Sequence, residues 1–290
     1  MSRLNIMLLV FALSPGSCLG AEEWIGLEDE QPVLIGIDLG QDELEDSSRA
    51  LLLSLPLGER MGYYGYYSET ELSDLDQEFD SLVLVTTLWF QLSQLVDIEI
   101  QYLFEGNEGE LEKETLGLAL ALDQGEWNFR VQLEEGETLL FTRAIDSDFF
   151  DSFVPDSYAT DVSGFEVSLG WQGDPWYWQL NHLRYDYEKD LSALSRSAFA
   201  RFIVKSSTLA QSSLLVSQNA SLLLGHADFE NDYSLQISQA QSAIDESYDE
   251  TLVFSWQHWA SQRFAYLLAA ATGLPLDDSV GLTLGLRWVL

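Results

Sequence analysis

A chain of 290 residues with 48 acidic and 13 basic side chains carries a formal net charge of -35; it repels nucleic-acid phosphates, which excludes DNA or RNA as a partner. Its content of 47% hydrophobic and 12% aromatic residues excludes intrinsic disorder. Beyond the first residues no segment reaches the ~20 apolar residues of a membrane helix, so a place in a membrane requires a closed β-barrel, the other fold that satisfies its own backbone in lipid.

The chain begins as a secretory signal. Arg3 supplies a positive start, Ile6 to Leu13 an apolar run, and Ser14, Pro15 and Gly16 a break before the small residues Ser17, Gly20 and Ala21. That order predicts a cleaved signal peptide over 1–21 and a single domain over 22–290. Cys18 is the only cysteine, so the exported chain would hold no disulfide. No Leu stands three positions before it, which argues against a lipoprotein signal.

After the signal, alternation with period two dominates. Trp127, Phe129, Val131 and Leu133 alternate with Glu126, Asn128, Arg130, Gln132 and Glu134. Val96, Ile98, Ile100, Tyr102 and Phe104 alternate with Asp97, Glu99 and Gln101, and Phe165, Val167, Leu169 and Trp171 with Glu166 and Ser168. Each set lines one face of a strand. Turn residues at Asp123-Gln124-Gly125, Glu135-Gly136 and Gln172-Gly173-Asp174-Pro175 punctuate the runs as hairpins do. The predicted strands are 33–39, 50–57, 61–68, 80–92, 95–104, 114–122, 126–134, 137–144, 163–171, 176–187, 197–205, 210–227, 232–242, 250–258, 262–272 and 280–290. Sixteen is an even number, as bacterial barrels require; because 137–144 alternates poorly and 210–227 is long, fourteen or twelve also fit. Many acids, among them Glu69, Glu71, Glu105, Glu112, Asp277 and Asp278, fall in the predicted connections, where a bound Ca²⁺ or Mg²⁺ is conceivable although no calcium-loop spacing occurs.

The fold class this predicts is all-β: a transmembrane antiparallel up-and-down barrel. Aromatics near strand ends, such as Trp89, Trp127, Trp171, Trp176, Trp178 and Trp256, suit the girdles at the two bilayer interfaces. The last strand, Thr283 to Leu290, resembles the terminal strand of the outer-membrane β-barrel class. In that class a polar residue is followed two positions later by Gly, with hydrophobic or aromatic residues third-last and last; Thr283, Gly285, Trp288 and Leu290 occupy those places. The class most often ends in Phe or Trp, and here Leu290 stands instead. The resemblance implies a bacterial outer-membrane location, contact with outer-membrane lipid and recognition of this strand by the barrel-assembly machinery.

Catalytic chemistry is poorly supported. His182 is followed two residues on by Arg184, where an outer-membrane phospholipase would carry its Ser nucleophile. His226 and Asp228 share one face of a strand, yet no companion pair completes an omptin-like protease. Without an exported cysteine and with scattered histidines, neither a metal cage nor a cofactor site is expected. The informative residues are those expected to line the lumen: Asp97, Glu99, Glu126, Arg130, Glu134, Glu166, Arg201, Lys205, Arg263 and Arg287. Most of the bases fall in the second half of the chain and the acids in the first, so opposed walls of charge would set a transverse field across a pore. The reading that follows is a passive porin-like channel for small polar solutes or ions. The alternative is a non-conducting barrel that partners an envelope or secretion complex.

Overall fold

The computed structural model describes residues 33–41, 47–74, 77–107, 111–141, 157–189, 191, 215–243, 246–274 and 280–290. Fourteen antiparallel strands run in chain order round a closed barrel, each paired with its sequence neighbours, and the last pairs with the first. They are β1 (Leu34–Gln41), β2 (Ser47–Gly58), β3 (Met61–Asp74), β4 (Gln77–Ser93), β5 (Val96–Asn107), β6 (Leu111–Gln124) and β7 (Trp127–Phe141). The second half adds β8 (Ser157–Gly173), β9 (Trp176–Tyr187), β10 (Val216–Ala227), β11 (Asn231–Ser242), β12 (Tyr248–Ser261), β13 (Phe264–Leu274) and β14 (Gly281–Val289). Among the described residues no helix is long and apolar enough to cross a membrane.

The count is fourteen and not sixteen for two reasons. The predicted strands 126–134 and 137–144 are one strand, because Glu135 and Gly136 continue the ladder opposite Leu116 and Thr115 and make no turn. Gly136 lies there because the β6 backbone passes close: a Cβ would collide with the carbonyl oxygen of Glu114. Second, β9 pairs directly with β10; the predicted strand 197–205 lies outside the described residues. Several strands also run further than their alternation suggested, so Glu69, Glu71, Glu105 and Glu112 belong to strands and not to connections.

Burial inverts the rule of soluble proteins. Leu118, Leu133 and Leu284 are 57%, 59% and 64% exposed, while Thr87 and Gln132 are each 1% exposed. The apolar set therefore points out of the barrel and the polar set in, as lipid outside and a polar interior demand. Strand β6 shows how sequence writes both faces. Leu116, Leu118, Leu120 and Leu122 point outward, and Gly117, Ala119 and Ala121 point inward. At the end of the barrel where β1 begins and β14 finishes (the termini end), the outer face turns aromatic. Trp127 meets Trp178 edge-on at 5.8 Å, Trp176 meets His226 at 4.7 Å, and Phe264 packs against Trp288 at 5.3 Å. Towards the opposite end the same face turns acidic, at Glu112, Glu114, Glu135, Glu137, Asp161 and Asp186. Much of the negative charge thus sits on strand extensions beyond the apolar belt.

Turns at the termini end are short. Between β6 and β7 only Gly125 and Glu126 intervene, and Gly125 takes φ 64°, the left-handed conformation a primed hairpin turn requires. Between β10 and β11, Asp228 accepts backbone hydrogen bonds from Glu230 at 2.9 Å and Asn231 at 2.8 Å. These bonds, that to Glu230 first, pull its carboxyl below the usual range, so the turn keeps this support above the ordinary carboxylate pKa and loses it as pH falls through the depressed value.

Leu118→Arg should cost about 2–4 kcal/mol of stability, the price of a cation at mid-bilayer, whereas Gln236→Arg, on the inner face of β11, should cost much less. Urea titration of the barrel in lipid vesicles measures both. Equal losses would mean that the two faces are exchanged.

Candidate functional site

The inner wall is divided into three sectors. On β2 to β4 it holds an apolar patch, in which Ala50, Leu52, Tyr64, Tyr66, Val83 and Val85 form one buried cluster with Leu34 and Leu103 packed against it, flanked by the buried hydroxyls of Ser68, Thr70 and Thr87. On β10 to β14 it is lined by small and hydroxyl side chains, including Ser221, Gly225, Ser234, Ser238, Ser255, Ala265, Ala269 and Gly285. Between them, β5 to β8 carry most of the inward charge, with Asp38, Asp232 and Arg287 outside that sector.

The charged sector is built across β6. Because Gly117, Ala119 and Ala121 leave a shallow floor there, long side chains of β5 and β7 reach each other over it. Arg130 Nε lies 2.9 Å from Glu99 Oε2, and its Nη1 lies 3.0 Å from Glu166 Oε2. Its Nη2 donates to Gln132 Oε1. Gln132 Nε2 donates to Gln101 Oε1 at 2.8 Å and to Glu134 Oε1 at 2.5 Å. Glu134 also accepts from Tyr185 Oη at 2.9 Å and Thr115 Oγ1 at 3.3 Å. A Cβ on Gly117 would stand 2.9 Å from Gln132 Nε2, so glycine there gives the network its room. One layer further from the termini end, Lys113 is 1% exposed and lies opposite Glu105, with its Nζ 3.4 Å from the centre of the Tyr185 ring.

The polar lining continues beyond this sector. Gln179 Nε2 donates to Ser168 Oγ at 2.9 Å, Asn181 Nδ2 to Ser221 Oγ at 3.2 Å, and Ser234 and Ser255 share a bond of 2.6 Å. Large inward rings lie over glycines of the neighbouring strand: Trp89 over Gly62, Tyr185 over Gly164 and Tyr177 over Gly225. Tyr177 Oη donates to Asp232 Oδ1 at 2.7 Å.

The residues singled out in the sequence are distributed unevenly. Asp97, Glu99, Arg130, Glu134 and Glu166 face inward on β5, β7 and β8, and Glu99, Arg130, Glu134 and Glu166 belong to the network above. Asp97 lies nearer the termini end, and its Oδ1 is buried without a hydrogen-bond partner. Glu126 is not on the inner wall: it sits in the β6–β7 turn and accepts from the outward-facing Trp171 Nε1 at 3.1 Å. Arg263 is likewise exposed in the β12–β13 turn. Arg201 and Lys205 lie outside the described residues. Arg287 does face inward, but its guanidinium is bound to Asp38, with Nη1–Oδ1 2.5 Å and Nη2–Oδ2 2.9 Å. Among the described residues, then, the bases of the second half do not form a wall opposed to the acids. Gln132 shares the polar face that the alternation gives to Arg130 and Glu134, whereas Lys113, Glu105 and Tyr185 were missed. The signal for them was present in the alternation of Leu with Gly and Ala along β6.

Among the described residues the two histidine pairings singled out in the sequence are not assembled. His182 and Arg184 point outward on β9, and Arg184 Nη2 pairs with Asp186 at 3.0 Å. His226 meets Trp176 edge-on on the outer face and Asp228 caps a turn, so the two are not assembled as a dyad. No group of side chains suited to a metal occurs among the described residues. In the terminal strand Thr283 and Gly285 face inward, Trp288 joins the outer aromatic band, and the backbone nitrogen of Leu290 donates to Val33 at 2.9 Å.

No protein-family model matches the chain, and no curated protein matches it in sequence. Solved structures similar to it include a KdgM porin in complex with disordered oligogalacturonate (8% identity, 88% of this chain and 98% of that one, TM-score 0.46). A NanC porin is similar at 7% identity over 88% of this chain and 100% of that one, with TM-score 0.48. The Omp33 outer-membrane protein of Acinetobacter baumannii is similar at 7% identity over 90% and 99%, with TM-score 0.49. At such identities the likeness is one of architecture alone.

Arg130→Met should destabilise the barrel by about 3–5 kcal/mol, because Glu99 and Glu166 would be left buried without their cation. Adding Glu99→Gln and Glu166→Gln to it should restore most of that loss. Chemical unfolding of the two variants in vesicles measures the difference, and a triple variant no better than the single one would show that the ion pairs are not what the network depends on.

Proposed function

We propose that the protein is a passive porin-like channel of the bacterial outer membrane, open to small polar solutes or ions. The observation that carries this reading is the closed fourteen-stranded barrel with apolar side chains outside and a hydrogen-bonded polar lining over most of its inner wall. A barrel of that size is wider than the eight-stranded kind whose interior side chains alone can fill. Rings and the Arg287 guanidinium lie back over glycines of the wall, a placement that supports an open axis. No step of chemistry is needed, and no cofactor. The short turns would face the periplasm, as they do in outer-membrane barrels. The acidic extensions would then stand at the outer surface, where divalent cations could bridge them to anionic lipid.

A second reading is favoured by one observation. Many inward side chains are shut off from solvent, with Gln132 at 1%, Ser168 at 3% and Thr138 at 0% exposure, as in a barrel whose interior is packed. That barrel would be a structural or interaction protein without conductance.

Planar-bilayer recording separates the two. Among the described residues, the inward carboxylates Asp38, Asp97, Glu99, Glu105, Glu134, Glu166 and Asp232 outnumber the inward cations Lys113, Arg130 and Arg287. Reversal potentials in a salt gradient should therefore indicate cation preference. Asp97→Asn should weaken that preference, and the effect should fade in 1 M salt, where screening shortens to about 3 Å. Absence of any conductance from folded barrel sinks the channel reading and leaves the packed one. Export and assembly are tested separately: removal of residues 283–290 should leave the protein in the periplasm, because β13 and β1 both lose their partner, and normal outer-membrane levels of the shortened chain would contradict this.

A further inference from the structure

The two ends of the sheet meet where β1 pairs with β14. Every other strand pair joins sequence neighbours, so a connection helps to set its register; this one joins segments 249 residues apart. Register is weakly specified where inward side chains are small, and along much of this seam they are Gly36, Gly40, Gly285 and Thr283, with Ala265 and Ala269 on β13; the apolar exceptions are Leu34 and Val289 at one end and Leu267 on β13. Two long inward side chains stand out. Arg287 lies directly opposite Gly36, and Asp38 directly opposite Gly285. A Cβ at Gly36 would stand 2.9 Å from Arg287 Cδ and Nη1, and one at Gly285 would collide with Asp38 Oδ1. Each long side chain thus lies in the hollow of the glycine across from it, and the two meet diagonally in a bidentate pair whose side chains are 9% and 18% exposed.

We propose that Asp38 and Arg287 form a closure latch that selects the register of the barrel seam. A slip of one residue turns every inward side chain outward. A slip of two keeps the faces but breaks the latch. In one direction Arg287 comes opposite Leu34 and Asp38 opposite Thr283, which pulls the charges apart. In the other, Arg287 stands directly over Asp38 without a glycine beneath it, and Val289 covers Gly36. Only the native register gives both side chains a hollow and both guanidinium nitrogens an oxygen. A buried ion pair adds little net stability over an apolar substitute, whereas fixing register is its best-attested use.

Disulfide trapping tests the latch in the full chain carrying Cys18→Ser. Ile37→Cys with Leu286→Cys reports the native register, since these residues are direct partners on the outer face. Ile37→Cys with Leu284→Cys reports a slip of two, because diagonal neighbours stand about 7–8 Å apart, beyond ordinary disulfide reach. With the latch intact, oxidation should trap the first pair and little of the second. Asp38→Asn or Arg287→Gln should raise the slipped product severalfold, and the exchange Asp38→Arg with Arg287→Asp, which keeps both glycine hollows, should return it to the original level. An unchanged slipped fraction in the neutral variants, even with reduced stability, overturns the proposal. If the neutral variants do not reach the membrane, the exchanged pair decides: recovery of folded, natively trapped barrel supports the latch, and failure to recover overturns it.

Discussion

Lipid offers no hydrogen bonds, and everything in this molecule follows from that. A strand edge left open in hydrocarbon would expose a row of unpaired amides and carbonyls, each costing several kcal/mol. The sheet must therefore close, and β1 must find β14 across nearly the whole chain. Once it closes, the pleat assigns every residue to one of two surroundings. Within the apolar belt, most Leu, Ile and Phe go to the lipid, while Gln, Ser, Thr and the charges of the central sector go to the inside. Stability then rests on the backbone ladder and the outer apolar belt, which frees the inner wall to carry charge.

Within that frame the inner wall shows how buried charge is tolerated. Arg130 is held by two carboxylates and an amide, and Glu134 by a phenol, a hydroxyl and an amide. The carboxylates outnumber the cations, and neutral donors satisfy the remaining lone pairs without cancelling their charge. The small residues of β6 make this possible, since side chains from strands two apart could not otherwise meet.

The alternation made the barrel legible, because a period of two survives any detail of packing. It also gave the correct face for Glu99, Arg130, Glu134 and Glu166. It did not give their partners: Arg130 meets residues 31 and 36 positions away, a proximity fixed by strand register and invisible to a local pattern. Parity misled at strand ends, where Glu126 and Arg263 keep the alternation but sit in turns and leave the wall. Gly136 misled in the other direction. Beside Glu it reads as a turn, yet it is needed for the close approach of the β6 backbone. Arg287 was legible as an inward cation, while its neutralisation by Asp38 depended on a seam that no local stretch encodes.

The floor of Gly117, Ala119 and Ala121 has a mechanical consequence. The Arg130–Glu99 ion pair and the Gln132–Gln101 hydrogen bond span it and tie β5 to β7, and Arg130–Glu166 adds a tie from β7 to β8, so those strands resist sliding past one another. The sector from β10 to β14, lined by Ser, Ala and Gly, has fewer such ties besides its ladder and the latch at its edge. A bilayer that thins, thickens or bends around this barrel meets a stiff flank and a compliant one, and an imposed distortion of its circular cross-section concentrates on the compliant side.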